Sequence, residues 1–402
     1  MYLFTSEVVS PGHPDKCADI IADTIVDTVL AHDKNARIAS EVFVAGKNVV
    51  IGGEIKSARK FSQTDYEDMV RKALIKIGYD GSPAFTKKQC LHPDDVKVLV
   101  FLNSQSADIS QGVDQSSGEI GAGDQGIMFG FASNETTNYM PAAITYAREL
   151  CDKVYNFAKQ NPNVFGVDIK TQVTLDYGTK DNFESCKPQS IHTIVVSVPS
   201  VESMDIKEVR KIVEKLIDET GLPSKLYDKD KTTIYINPTG RYVNHSSLHD
   251  SGLTGRKLIV DSFGGYSPIG GGAQSSKDYT KVDRSGLYAA RYIAKNIVAS
   301  GIAKKCIVQL SYAIGLAKPT SVSIDTMGTH VKGIDDEILS NFVTEKFPLT
   351  PRWITEKFGL DKPSKETFLY ADVAANGQVG NPNYPWEALD SMELFRNLVK
   401  KL

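Results

Sequence analysis

PDKCADIIADTIVDTVLAHDKNARIASEVFVAGKNVVIGGEIK, residues 14–56, changes its apolar period part-way along, and that change decides the fold class. Over 14–31 apolar side chains recur at Cys17, Ile21, Ile25 and Val29, four residues apart, as on one face of an amphipathic helix. Pro14 suits the first turn, where a backbone N–H would have no intrahelical acceptor. ARIASEVFVAG (36–46) and NVVIGGEIK (48–56) then read as strands, rich in β-branched and aromatic residues and broken by glycine and charge. A helix over Tyr66–Ile77 and the strand KVLVFLN (97–103) complete an order of helix, strand, strand, helix, strand.

That order recurs. MPAAITYARELCDKVYNFAKQ (140–160) is a helix, IKTQVTLDYG (169–178) and SIHTIVVSVPS (190–200) are strands, DIKEVRKIVEKLIDE (205–219) is a helix and TTIYIN (232–237) a strand. A third pass runs through DRSGLYAARYIAKNIVASG (283–301), CIVQLSYAI (306–314), TSVSIDTMG (320–328) and the helix IDDEILSNFVTEKF (334–347). The expectation is an α/β fold of the α+β type: three similar domains, each a mixed sheet with helices on one face, in a pseudo-threefold arrangement. The expected units are 1–103, 118–238 and 239–402. Between the first two, the polar, glycine-bearing stretch from about 104 to 121 reads as a mobile gate over a site.

Composition narrows the function. Of 402 residues, 41% are hydrophobic and 24% charged, a globular balance with room for more than one core. Forty-six basic residues against 49 acidic ones give a net charge of -3, which disfavours a general polyanion binder and makes any phosphate site local. No apolar run reaches a membrane span and the first residues lack a signal-peptide pattern, so a cytoplasmic location is expected. Cys17, Cys90, Cys151, Cys186 and Cys306 are scattered, without a CxxC pair, and read as reduced thiols. No histidine spacing suits a transition metal, whereas magnesium on carboxylate and phosphate oxygens stays open.

Several motifs carry chemistry. GHPDK (12–16) sets an imidazole, a carboxylate and an ammonium at a helix start, where free N–H groups favour an anion; an ordinary helix start with His13 as its cap is the alternative. HDSGLTGRKLIVD (249–261) gathers Asp250, Arg256 and Lys257 at a glycine turn before an expected strand. In GGYSPIGGGAQSSKDYTKVDRS (264–285), glycines precede Lys277, Lys281, Asp283 and Arg284, a pattern for close backbone approach to a polyanion; a surface loop with Asp283 as a helix cap competes with it. INPTGRYV (236–243) offers Arg241 beside Tyr242 for a base. GAGDQG (121–126) matches GxGxxG without a preceding strand, so a dinucleotide fold is rejected, while Asp124 remains a ligand candidate. Glu41 and Glu54 stand on apolar strands and need cations, either a bound ion or an arginine of the core. GxxxxGK[ST] is absent.

Taken in order, GHPDK, GGEI (52–55), GAGDQG, INPTGR, GLTGRK (252–257), GGGA (270–273) and KVDRS (281–285) closely resemble the S-adenosylmethionine synthetases, from Phe4 to near Pro385. The resemblance implies a methionine adenosyltransferase activity. Methionine sulfur attacks C5′ of ATP, triphosphate leaves, and it is hydrolysed to diphosphate and phosphate. It implies magnesium, two ions per site, and potassium, in a dimer or dimer of dimers with sites shared between chains and no nucleic-acid or membrane partner. By motif, His13 falls at the leaving oxygen and phosphates, and Lys170, Arg256, Lys257 and Lys277 at the phosphates. Asp15 and Asp283 fall at magnesium and Glu41 at potassium. Asp168, Arg241, Tyr242, Asp250 and Ala273 fall on the ATP side, and Glu54, Gln105, Asp124, Asp250 and Lys281 at methionine. NHSSLH (244–249) stands where the family usually has a glycine-rich turn, and Ile269, Gln274, Ser276 and Tyr279 replace common His, Phe, Gly and Pro. A phosphotransferase or a non-catalytic nucleotide-binding subunit would use similar cations, but nothing resembles a kinase catalytic loop and the charged positions are retained.

Overall fold

The computed structural model describes residues 1–104 and 120–400. In chain order the elements are β1 (Leu3–Val9), α1 (Pro14–His32), β2 (Arg37–Ala45), β3 (Asn48–Lys56), α2 (Gln63–Ile77), β4 (Lys97–Asn103), β5 (Gly126–Ser133), α3 (Ala142–Gln160), β6 (Lys170–Asp176), α4 (Lys180–Glu184), β7 (Ser190–Ser197), α5 (Ile206–Asp218) and β8 (Thr233–Ile236). There follow β9 (Gly252–Leu253), α6 (Leu258–Asp261), α7 (Val282–Ala299), β10 (Lys305–Tyr312), β11 (Ser321–Asp325), α8 (Asp336–Lys346), α9 (Pro351–Phe358), α10 (Tyr370–Asn376) and α11 (Met392–Val399).

Most of the expected elements form where periodicity put them. α2 begins earlier than Tyr66 because Ser62 and Asp65 close a capping box, each side chain bonding the other's backbone N–H. Residues 258–261 form a helical turn rather than the expected strand, and the turn carries Asp261 back onto Lys16 Nζ at 2.5 Å. α1 differs in kind from a surface amphipathic helix, since it is buried on both its apolar and its acidic sides.

Three sheets result: β4-β3-β2-β9 and β1-β6-β7-β8, each mixed through one parallel pair, and β11-β10-β5, which is antiparallel throughout its described strands. Helices cover one face of each: α1 and α2 on the first, α3 and α5 on the second, α7 and α8 on the third. Each sheet borrows a strand across the expected unit boundaries. β1 runs antiparallel to β6, Leu3 opposite Asp176; β5 runs antiparallel to β10, Gly126 opposite Tyr312; β9 closes on β2, Leu253 opposite Phe43. At Gly130 a Cβ would lie 2.0 Å from the Ala290 carbonyl carbon, so only glycine lets α7 approach β5.

The other face of the first sheet, uncovered among the described residues, is apolar. Phe43, Phe101 and Leu253 are exposed there, with Val50 registered opposite Phe43 and Leu99 opposite Val50. Among the described residues no helix is long and apolar enough to cross a membrane. All five cysteines are free and buried. The expected gate, about 104 to 121, lies almost wholly outside the described residues.

Candidate active site

The site is built at the start of α1. His13 is its N-cap, and its Nδ1 accepts the Asp15 N–H at 3.1 Å. Burial, reinforced by Lys257 and Lys170, pushes the imidazole down to about 3, so it is neutral at pH 7. With Nδ1 accepting, the ring proton sits on Nε2, and His13 presents a donor without charge. The capping role read from GHPDK is thus observed, and its geometry is compatible with the Nε2–H serving as a donor.

Asp15 is buried beside it. Its Oδ2 accepts Lys257 Nζ at 2.6 Å, Arg256 Nε is 3.5 Å from Oδ1, and the Leu253 N–H donates to Oδ1 at 3.0 Å. Burial alone would raise this carboxyl, but the Lys257 ammonium, the Leu253 N–H and His13 together hold it below the usual carboxylate value. Gly252 makes the contact possible, because a Cβ there would meet the Pro14 carbonyl at 2.1 Å. Next to this group, Tyr242 Oη and the Ser246 N–H each donate to Asp168 Oδ2 at 3.2 Å. Burial pushes Asp168 up to about 6, with Lys170 acting against it and Asp250 with it. Arg241 is turned away and donates to the Glu202 carbonyl at 2.6 Å. Asp250 is exposed and stands with Asp168 and Tyr242 rather than with Glu54.

A second group lies further along β2. Lys277 bridges to Ala39, while Leu253 pairs with Phe43, so the two groups sit four strand residues apart, about 13 Å. Lys277 Nζ donates to Asp283 Oδ2 at 2.7 Å, and Asp283 presses on Gly272, where a Cβ would be 2.2 Å from its Cγ. Asp283 is thus not the cap of α7, as the competing reading had it. Gly272 and Ala273 form the turn that meets Gly255, whose Cβ would lie 2.7 Å from that of Ala273. Glu54 is registered opposite Ala39, and Glu41 accepts the Ser276 hydroxyl at 3.2 Å. Among the described residues neither glutamate has a cationic partner, so the core arginine considered for them is not there. The Gly123–Asp124 turn seats on Thr280 and Lys281, with the Gly123 N–H on the Thr280 carbonyl at 3.2 Å. It leads into β5 instead of opening a helix, which excludes dinucleotide geometry. Gln105 lies outside the described residues.

The residues that replace a glycine-rich turn are fastened to the first unit. Ser246 Oγ accepts the Leu91 N–H at 2.9 Å, Ser247 Oγ donates to the Gly46 carbonyl at 2.8 Å and the His245 N–H donates to Gln89. Burial lowers His245 to about 4.

Sequence reasoning missed three carboxylates. Asp19, Asp23 and Asp27 follow Asp15 at four-residue spacing, and each accepts a backbone N–H from another segment: Gly255, Ser276, and Tyr370 with Ala371. The signal was present as a second four-residue stripe on 14–31, which reads as a solvated face until something is known to cover it.

Models of the three S-adenosylmethionine synthetase domains match this chain in order, the N-terminal domain over residues 1–107, the central over 119–242 and the C-terminal over 245–388. The chain belongs to the S-adenosylmethionine synthetase family. It is 45% identical over 405 residues to the S-adenosylmethionine synthase of Lacticaseibacillus casei, covering 98% of this chain and 97% of that one. The Chlorobium phaeobacteroides S-adenosylmethionine synthase is 41% identical over 408 residues, covering 98% and 96%. A solved structure of an unusual S-adenosylmethionine synthetase from Campylobacter jejuni is 70% identical and superposes with a TM-score of 0.95 over 99% of this chain and 100% of that one.

The enzyme catalyses the family's reaction: ATP, L-methionine and water give S-adenosylmethionine, diphosphate and phosphate, by sulfur attack on C5′ and hydrolysis of the triphosphate. ATP and methionine are its substrates, and the family uses metal ions. The donor set fits hard, hydrated cations. Among the described residues no three His, Cys, Asp or Glu converge on one point, so each carboxylate would hold an ion completed by water and phosphate oxygens, as magnesium accepts.

Proposed function

We propose that the α1 end of the site takes the triphosphate and adenosine, that the uncovered sheet face takes methionine and a monovalent cation, and that two chains together complete each site. The observation that carries this is the contrast in charge balance. His13, Asp15, Arg256 and Lys257 form a set within one chain, whereas among the described residues Glu41 and Glu54 have no counter-charge and stand on an apolar face that no helix covers.

In this reading the His13 Nε2–H donates to the leaving oxygen, and Lys170, Arg256, Lys257 and Lys277 offset charge on the phosphates. Asp15 and Asp283 would hold magnesium and Glu41 potassium. When bound, magnesium neutralises the polyphosphate that leaves. Asp168 and Tyr242 face adenosine beside Ala273, and Arg241 joins them by releasing Glu202. Glu54, Gln105, Asp124 and Lys281 receive methionine, with Asp250 between the two substrates. A thioether is neutral and needs no base, so catalysis rests on stabilising the charge that develops on the leaving oxygen. That demand accounts for a site rich in cations and without a nucleophile.

The exposed Phe43, Phe101 and Leu253 support a twofold contact between copies, in a dimer or dimer of dimers. Cytoplasmic residence belongs to the same reading. The test mixes inactive His13→Ala and Lys277→Ala proteins after dissociation and reassembly. If the two residues serve one site from different chains, each mixed dimer has one site with both defects and one intact, and activity returns. Mixed dimers that form and stay inactive overturn the shared site.

A further inference from the structure

The four aspartates of α1 form a ruler. Asp15, Asp19, Asp23 and Asp27 fall on one helix face about 6 Å apart. Asp15 accepts the N–H of Leu253 at 3.0 Å, Asp19 that of Gly255 at 2.9 Å, Asp23 that of Ser276 at 2.8 Å, and Asp27 those of Tyr370 and Ala371, each at 2.9 Å. Asp19 and Asp23 are fully buried. A buried carboxylate is expensive unless its oxygens are satisfied, and here each is held by a cation as well as a backbone donor. Lys16 Nζ reaches Asp19 at 3.2 Å, and Arg284 reaches both oxygens of Asp23 at 2.6 Å.

Two of the segments on this ruler carry the site's cations. Gly255 immediately precedes Arg256 and Lys257, and Ser276 immediately precedes Lys277. Both anchors lie in the left-handed region, which glycine adopts freely and serine does not. Gly255 has φ +75°, and Ser276, which has a side chain, has φ +76°. A non-glycine residue stays in that region only where its surroundings hold it. Ser276 is held on both sides, its N–H by Asp23 and its carbonyl by the Ser40 N–H at 3.1 Å.

We propose that Asp19 and Asp23 are positioning residues, which set Arg256–Lys257 and Lys277 at fixed heights along α1 by holding the N–H just ahead of each. Asp27 is the internal control. It makes the same bonds from the same helix, but its partners open α10, which carries no proposed site residue. The inference rests on the assignment of Arg256, Lys257 and Lys277 to the phosphates.

The experiment compares Asp19→Ala, Asp19→Asn and Asp27→Ala in the full-length enzyme, with kcat and KM expressed per folded site and thermal stability measured alongside. Asp19→Ala should lose up to about a hundredfold in kcat, the size expected for a reactive group displaced by an ångström. Asp19→Asn, which keeps an acceptor for the Gly255 N–H, should recover most of that loss. Asp27→Ala should lower the melting temperature with kcat unchanged. For Asp23 the double variant Asp23→Ala with Arg284→Met avoids stranding a buried cation, and should depress kcat likewise. Equal kcat per folded site in Asp19→Ala and Asp27→Ala, or failure of Asp19→Asn to recover activity, overturns the proposal. A Lys257→Ala arm separates the two levels. If it loses turnover while Asp19→Ala does not, the positioning role alone fails; if it keeps turnover, the phosphate assignment fails and the positioning role with it.

Discussion

The α1 end of the site and the uncovered face of the first sheet use the same residue types to opposite effect. At α1, Asp15 is buried and meets Lys257, Arg256 and a backbone N–H, all from its own chain. On the sheet face, Glu41 meets one hydroxyl and Glu54 has no cationic partner among the described residues, and both stand among exposed apolar side chains. Carboxylates of the first kind are fixed before any ligand arrives. Those of the second kind are not committed among the described residues, and water can solvate them, since Glu41 is exposed and Glu54 partly so.

The sharpest way to break the comparison is to remove charge at the acids proposed to hold magnesium. Asp15→Asn and Asp283→Asn should each cost at least about a hundredfold in turnover, because each would take a charged ligand from the magnesium proposed to offset the departing triphosphate. Near-normal turnover at limiting magnesium, with normal magnesium affinity, would show that the altered residue does not hold the ion. A smaller effect is expected from the open face. Phe101→Asp, at a position 64% exposed, should leave the fold intact and raise the dimer dissociation constant by about thirtyfold, read by sedimentation. Unchanged association would mean that another surface joins the chains.

The smallest effect is a pH dependence confined to the closed half. His245 is held neutral at about 4, against about 6.5 when unfolded. Between those values the unfolded chain binds more protons, so this residue's contribution is full above pH 6.5 and is lost as the pH falls toward 4. Asp19 and Asp27, raised to about 7 by burial, work in the opposite sense and gain stability as the pH falls below 7. The clean measurement is therefore a difference. The stability of the unaltered enzyme relative to His245→Asn should fall by about 1.4 kcal/mol per pH unit between 6 and 4.5. A pH-independent difference would show that His245 is not kept neutral by the fold.

The sequence was most legible where structure is local. The α1 stripe of Cys17, Ile21, Ile25 and Val29 and the strand pair Arg37–Ala45 with Asn48–Lys56 needed only their own neighbours to be read. The cap in GHPDK was legible too, since His13 and the Asp15 N–H it accepts are two residues apart. The borrowed strands were not, because β1 finds its partner at 170–176 and β9 finds its own at 43–44, distances that no periodicity reports. Asp19, Asp23 and Asp27 escaped for a related reason. Acids at helical spacing imply a wet face unless distant segments, here 252–278 and 370–371, are known to lie on it. The turn at 258–261 was misread because three consecutive apolar residues fit a strand and a helix equally well.

The exchange of strands also bears on how the chain is made. β1 leaves the ribosome well ahead of its partner β6, which begins at Lys170. At translation rates of about 5 to 20 residues per second, some 8 to 30 seconds separate the two. Through that interval an edge of the first-made strand has no neighbour, and the second sheet cannot close. The order of synthesis and the order of assembly therefore run apart, and until residues 170–176 have been made the edge of β1 is open to pairing with foreign strands.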